Sequence, residues 1–386
     1  MASLETTRAI LTDLVGYPSI SSDSNVEIIG YLAQRLQDLG ADVQIQFTHD
    51  GQKANLFGTL GPDIPGGIVL SGHSDVVPVA DQDWTRDPFA VAEHDGRLYG
   101  RGTCDMKGFI AAAIAKAEDY AAADLARPVH FAFTHDEETG CVGAQALADW
   151  LQERGARPAM AIIGEPTMMQ VIEGHKGCCE YTTHFHGRAG HGSMPELGVN
   201  AVEYAARYVA RLLDLGDALK ARAPANSRFD PPWTTISTGS LIGGTAHNVI
   251  PETASVQWEF RPVQNADFTF VKSQIEDYVQ SVLLPAMKSV DPAAGITTEI
   301  IGEVCGLEPA EINTARDILM ELTGGNHSGV VPFGTEAGIF QSIGMSVAVC
   351  GPGSIEQAHK PDEYLALDQL DKCLTMLDGL GARLRA

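Results

Sequence analysis

The histidines and carboxylates of this chain cluster at the ends of short apolar runs. Ile68-Val69-Leu70 leads into Gly72-His73-Ser74-Asp75, Phe131-Ala132-Phe133 into His135-Asp136-Glu137-Glu138, and Ala161-Ile162-Ile163 into Gly164-Glu165-Pro166. Val347-Ala348-Val349 is followed, one loop later, by Ala358-His359-Lys360-Pro361, and Gly102-Thr103-Cys104-Asp105-Met106-Lys107-Gly108 lies between the first two runs. His73 and His359 with the carboxylates Asp105, Glu138 and Glu165 form a donor set for zinc, cobalt or manganese rather than for an iron–sulfur or copper–thiolate centre. Two ions about 3.5–4 Å apart need a bridging group and about two further protein ligands each, a count that these residues meet with one shared. Consecutive side chains point in different directions, so adjacent Glu137 and Glu138 supply one ligand and one free base, able to carry a proton from water to a leaving amine. The chemistry expected is two-metal hydrolysis. Cys104 and Cys141, near these carboxylates, are read as small buried apolar residues, with a ligand or nucleophile role as the alternative.

The elements that must position these groups alternate between two textures. Asn25 to Leu39 carries apolar residues at helical spacing and stops at Gly40. Strand-like runs at Ile68 to Leu70, Val129 to Phe133 and Met160 to Ile163 are separated by Ala-rich helical segments, Phe109 to Ala123 and Gly143 to Arg154. Alternating strands and helices imply an α/β fold, a mostly parallel-stranded sheet flanked by helices. Such sheets bind ligands beyond the carboxyl ends of their strands, where the groups above should converge. From Cys178 the order becomes β-α-β-β-α-β: Glu180 to Phe185, Val199 to Leu215, Trp233 to Ile242, Thr253 to Arg261, Phe268 to Leu284 and Ile296 to Glu303. That order suits a small α+β sandwich inserted into the larger domain. The expected division is residues 1–177 and 305–386 for a discontinuous catalytic domain and 178–304 for the insert. A helix over Thr314 to Thr323, a strand at Val347 to Cys350 and a helix over Leu367 to Leu384 complete the pattern.

Bulk composition narrows the partners. At 386 residues the chain exceeds the size at which one core stops growing. Lys+Arg 26 against Asp+Glu 50 gives a formal net charge of −24, which repels a nucleic-acid backbone and an anionic membrane surface. Residues 1–15 lack the basic start and apolar run of a secretory signal. The uncharged stretch Ala337 to Ile355 is broken by glycines and Pro352 and reads as a buried strand between loops, not a membrane span. Seven scattered cysteines without a CxxC pattern point to a reducing, cytoplasmic setting.

The runs GHSDVVP (72–78), GRGTCDMKG (100–108), THDEETG (134–140), GEPT (164–167) and HKPDEY (359–364) resemble those of the M20 metallopeptidase family, and within it the acetylornithine deacetylase subgroup. The resemblance covers essentially the whole chain. It implies a di-zinc exopeptidase-like fold with the insert as a lid or dimerisation domain. It also implies His73 and Glu165 on one divalent ion, Glu138 and His359 on the other, and Asp105 bridging them. Asp75 would orient the His73 imidazole, and Glu137 would be the general base. Zinc is the foremost cofactor implied, with cobalt or manganese as alternatives.

Gly187 to Ala201 is similar to the histidine loop of the family's lid. By that likeness His191 reaches a neighbouring subunit's site in a homodimer and stabilises a developing oxyanion. Gly243 to Pro251 is similar to a second lid loop, with Asn248 placed to hold a substrate oxygen. Arg261 is a bidentate partner for a substrate α-carboxylate, or else pairs structurally within the lid. Gly334-Thr335-Glu336-Ala337-Gly338 is similar to the deacetylase subgroup, and Glu336 is expected to select a distal ammonium, as in ornithine. The activity implied is hydrolysis of a small N-acyl amino acid, N2-acetyl-L-ornithine first. A broader N-acyl-amino-acid deacylase or a succinyl-diaminopimelate desuccinylase is the near alternative, and a dipeptidase or tripeptidase the more distant one.

Overall fold

Strands Ile68–His73 and Val129–Thr134 are buried at every position, the burial expected of strands covered by helices on both faces. In the computed structural model, which describes residues 3–385, they lie in an eight-stranded sheet. Val129–Thr134, Ile68–His73, Met160–Pro166 and Ser346–Gly351 run parallel in that order. Ala54–Leu60 and Asp42–Phe47 add an antiparallel edge beside Val129–Thr134. The parallel strands all carry their carboxyl ends to one rim, and each expected ligand on a strand sits at or just past that rim.

The helix Lys107–Ala121 is buried around almost its whole circumference. Alanines at 111, 112, 113, 115 and 117 keep it slim enough to pack closely. Gly164 shows how close: a Cβ there would lie 1.9 Å from the Phe109 ring. The strand leading into Glu165 can therefore seat Phe109 only because residue 164 has no side chain. Leu11, Leu14, Leu32, Leu70, Phe109, Phe131 and Leu374 belong to one apolar core with both faces of helices.

The chain divides into two compact units. The first holds the described residues through Gly174, Pro309–Val330 and those from Thr335 on; the second holds His175–Glu308 and Val331–Gly334. These changeovers fall a few residues from the boundaries read in the sequence, and Gly334 belongs to the second unit rather than the first. The second unit is a four-stranded antiparallel sheet ordered Thr235–Gly243, Thr253–Arg261, Cys178–His186, Gly295–Val304. Residues of Ala201–Lys220 and Asn265–Tyr278 share its core with Phe185, Val256, Trp258 and Phe260. Burial alternates along Cys178–His186 and Thr253–Arg261, as a sheet covered on one face requires.

Two elements differ from expectation. The helix over Phe268 to Leu284 runs on to Lys288 through a π-helical turn at Val279–Leu283. Pro285 follows that turn; it has no N–H to donate and its ring crowds the preceding turn. The stretch before Ser346–Gly351 is a short helix, Ala337–Ser342, rather than a loop. Among the described residues no helix is long and apolar enough to cross a membrane.

His175 is fully buried in the second unit, 2.9 Å through Nδ1 from the Lys176 carbonyl. Burial lowers its pKa to about 4 from 6.5, although the Lys176 carbonyl bond works the other way. The unfolded chain therefore binds a proton here that the folded chain refuses, so stability falls as pH drops from 6.5 and levels off below about 4. The His175→Gln variant should lack this penalty. Relative to wild type it should gain about 3 kcal/mol between pH 7 and pH 4 in urea unfolding; a constant difference across that range would contradict the assignment.

Candidate metal centre

His73 closes its strand with Nε2 3.1 Å from Asp105 Oδ1 and 3.9 Å from Glu165 Oε1. His359 Nε2 lies 3.0 Å from Glu138 Oε2 and 3.5 Å from Asp105 Oδ2. Asp105 thus turns one oxygen to each imidazole, the disposition that a bridging carboxylate needs. His73, Asp105 and Glu138 bring one donor atom each to within 4.8 Å of one another, and so do His73, Glu137 and Glu165. The residues expected at the centre come together from five separate stretches of chain.

Electrostatics say what the cluster lacks. Burial, with Glu138 and Asp105 nearby, pushes Glu137 up to about 8 even though His73 opposes it. Burial and Asp105 raise Glu138, and burial and Asp105 raise Glu165 well above the usual carboxylate range. Burial acts against the charged His73, yet its bond to Asp105 and the nearby carboxylates of Asp75 and Glu165 outweigh it, and its pKa is raised well above the usual value. Hydrogen bonds to Asp105 and Glu138 lift His359 to about 10. Asp105 is held below the ordinary range because its bonds to His359 and His73 outweigh its burial. Glu165 Oε1 is buried with no hydrogen-bond partner. A buried site that pulls protons onto its imidazoles and its carboxylates, and keeps one carboxylate oxygen unbonded, fits divalent cations.

Asp75 behaves differently from expectation. The His73 Nδ1 bond, 2.9 Å, goes to the Asp75 main-chain carbonyl, whereas the Asp75 carboxylate stands 3.6 Å away. Donation from Nδ1 leaves the Nε2 lone pair facing the cluster. The Asp75 carboxylate accepts instead from the backbone N–H groups of Glu137 (3.1 Å) and Glu138 (3.4 Å) and from Ser21 Oγ (2.7 Å). It fixes the turn that carries both glutamates.

Glu363 has a role that the sequence reading missed. Fully buried, it accepts from the backbone N–H groups of Gly102 (3.0 Å), Cys104 (2.8 Å) and Asp105 (3.1 Å) and from Arg101 Nη1 (2.8 Å). Arg101 Nη2 continues to Gln82 Oε1 (2.6 Å), and Gln82 Nε2 donates to the His359 carbonyl (2.9 Å). This clamp ties the loop bearing Asp105 to the loop bearing His359, which itself holds a left-handed φ of 63°. Its only sequence signal was an acidic residue inside the run 359–364.

Of the expected substrate contacts, His191 and Asn248 are exposed in the second unit, joined by the ribbon Gly190–His191 with Val249–Ile250 and by Gly192 N–H to the Asn248 carbonyl (2.7 Å). Ser193 N–H donates to His191 Nδ1 (3.2 Å), so the neutral ring carries its proton on Nε2. Arg261 pairs with Glu259 through Nε (3.2 Å) and Nη2 (3.0 Å), the structural alternative. Thr335 is buried and accepts from Ala337 N–H at the start of a helix. Glu336 requires correction. It is fully buried, and its two oxygens accept from Ser71 Oγ (2.5 Å) and Thr134 Oγ1 (2.8 Å) on neighbouring strands. A carboxylate so engaged braces the sheet under His73 and does not face an incoming ammonium. Cys104 and Cys141 are buried thiols whose pKa burial raises well above the ordinary value, which disfavours the thiolate that a ligand or nucleophile would need.

A model of the family described as Peptidase family M20/M25/M40 matches residues 69–382. The chain belongs to this family. An acetylornithine deacetylase from Shigella sonnei (strain Ss046) is 36% identical over 361 residues, 91% of either chain. A tripeptidase from Staphylococcus aureus superposes over 100% of both chains with TM-score 0.74 at 19% identity. A dinuclear metal-binding M20 peptidase from Bacillus subtilis does so over 98% of both with TM-score 0.63 at 16% identity. The two solved structures establish the α/β fold of this M20 member, its mainly parallel sheet included.

The Glu363→Gln variant puts an amide NH₂ among backbone donors and leaves buried Arg101 unpaired. We expect it to lose about 3 kcal/mol in urea unfolding. A loss below about 1 kcal/mol would mean that the clamp is dispensable.

Proposed function

We propose that this M20 chain is a two-metal amidohydrolase that cleaves N2-acetyl-L-ornithine to L-ornithine and acetate. The observation that carries the hydrolytic reading is Asp105, whose two oxygens face His73 and His359 separately while Glu137 stands beside His73 and Glu165. The choice of substrate is supported by the 36% identity to an acetylornithine deacetylase over 91% of the chain. In this reading His73 and Glu165 hold one ion, Glu138 and His359 the other, and Asp105 serves both. Zinc suits the nitrogen and oxygen donors best, with cobalt and manganese acceptable.

Bound divalent ions would supply Lewis-acid polarisation of the acyl carbonyl and make water a nucleophile near neutral pH. Glu137 takes one proton from the attacking water and delivers it to the amide nitrogen as the C–N bond breaks. The water oxygen ends in acetate, and both of the water's protons end on the departing amine, which leaves as an ammonium. Glu137 is not among the assigned ligands, so its carboxylate stays free to accept and release a proton. His191, with its proton on Nε2, is suited to donate to the oxyanion, and we assign it that task across a homodimer. Asn248 is the group that we assign to the substrate's acyl oxygen; Arg261, which Glu259 already holds, would take the α-carboxylate by exchanging that partner. The family's small-molecule amide chemistry, the net charge of −24 and the scattered cysteines are consistent with a cytoplasmic enzyme that uses neither nucleic acid nor membrane.

Removing divalent ions with a chelator should abolish turnover, and Zn²⁺ or Co²⁺ should restore it. Glu137→Gln should keep its metal content and lose about 10²–10⁴-fold in kcat; undiminished turnover would remove Glu137 from the reaction. Across N2-acetylornithine, N-acetylmethionine, N-succinyl-diaminopimelate and dipeptides, kcat/KM should be highest for N2-acetylornithine. Turnover of dipeptides alone would replace the deacetylase reading with a peptidase.

A further inference from the structure

A ring of contacts below the metal centre involves a residue outside every motif. Lys53 Nζ donates to Asp136 Oδ1 (2.6 Å) and to the Ser21 main-chain carbonyl (2.6 Å). Ser21 Oγ in turn donates to Asp75 Oδ2 (2.7 Å), and Asp75 receives the backbone N–H groups of Glu137 and Glu138. Asp136 is covalently next to Glu137, so the contacts close: Lys53, Ser21, Asp75, the 137–138 backbone, Asp136 and back to Lys53.

Three features show how this ring is set in place. The Lys53 and Asp136 side chains are only 13% and 18% exposed, so their attraction is weakly screened. Asp136 has a left-handed φ of 53°, a backbone setting that few residues with a Cβ adopt and that aspartate tolerates better than most. Lys53 itself is fixed by the turn Thr48 to Lys53: Thr48 N–H donates to the Lys53 carbonyl (2.9 Å) and Lys53 N–H to Thr48 Oγ1 (3.0 Å). The other ionisable neighbour of Asp136 is His135, whose Nδ1 lies 3.1 Å from Oδ2. The turn's own bonds, from Gly140 and Cys141 N–H to the Glu137 carbonyl, shape it without anchoring it to another strand.

We propose that Lys53 is a positioning residue for Glu137 and Glu138: its ammonium pins Asp136 and so holds the turn at the angle that aims one glutamate at each half of the centre. This rests on the two-metal reading of the site. A backbone that twists by a few degrees at Asp136 would swing both carboxylates, and partners one step removed from metal ligands commonly change metal affinity or activity 10–100-fold.

The test compares Lys53→Met, Lys53→Arg and, as a surface control, Lys372→Met, whose partner Asp368 lies one turn back on the exposed face of the same helix, Leu367–Leu384. Three quantities are measured on each purified full-length protein: Co²⁺ affinity by calorimetry, kcat and KM on N2-acetylornithine, and the melting temperature without metal. Lys53→Met should bind Co²⁺ about tenfold more weakly and lose about tenfold in kcat with KM within about twofold. Lys53→Arg, which retains charge and donors, should stay within about threefold on both counts, and Lys372→Met should match wild type. Lys53→Met with wild-type Co²⁺ affinity and kcat overturns the proposal. So does an equal loss in Lys53→Arg that follows the melting temperature, since that marks a packing role alone. If Lys53→Met fails to fold, Asp136→Asn removes the charge from the same pair and is judged by the same criteria. If wild type hydrolyses no N-acyl amino acid, the functional reading fails, while the Co²⁺ titration still decides the role of Lys53.

Discussion

Packing Asp105, Glu137, Glu138 and Glu165 between the buried His73 and the half-exposed His359 is electrostatically unfavourable unless positive charge is supplied. The rest of the first unit can be understood as the answer to that constraint. Parallel strands bring the groups to a common rim, and rigid side walls keep them from turning away to water. The raised pKa values of Glu137, Glu138, Glu165 and both histidines record how strongly the site draws in protons or cations.

The side walls are made of hydrogen bonds between segments far apart in the chain. Glu363 gathers three backbone N–H groups of the Asp105 loop, and Arg101 and Gln82 extend that hold to the His359 carbonyl. Asp75 does the same for the turn of Glu137 and Glu138, and Glu336 braces the two strands beneath. Three acidic residues therefore act on backbone or hydroxyl donors, and their carboxylates are spent on holding other residues still. That division of labour explains why a chain with so many acidic groups commits so few of them to ligand positions.

The second unit follows a simpler logic. Its sheet is covered on one face and leaves loops at the sheet's end, where His191 and Asn248 meet on a two-stranded ribbon. The Ser193 N–H decides the tautomer of His191, so a local backbone bond gives that ring a proton to donate.

Much of this was legible in the residues alone. Alternating apolar runs and Ala-rich helices determine an α/β fold because buried parallel strands must be apolar throughout, and donor residues just past those runs must meet at one rim. His73, Asp105, Glu137, Glu138, Glu165 and His359 follow from that rule together with their donor chemistry. Tertiary structure alone decided the functions of Glu336, Asp75, Glu363 and Lys53. Glu336 lies in a run that reads as a binding loop yet points into the sheet, and Glu363 and Lys53 act across about 260 and 80 residues of chain respectively. Residue type announces that a carboxylate or an ammonium can bond; which donor or acceptor it finds depends on what the fold brings within 3 Å, and one-dimensional spacing holds no record of that.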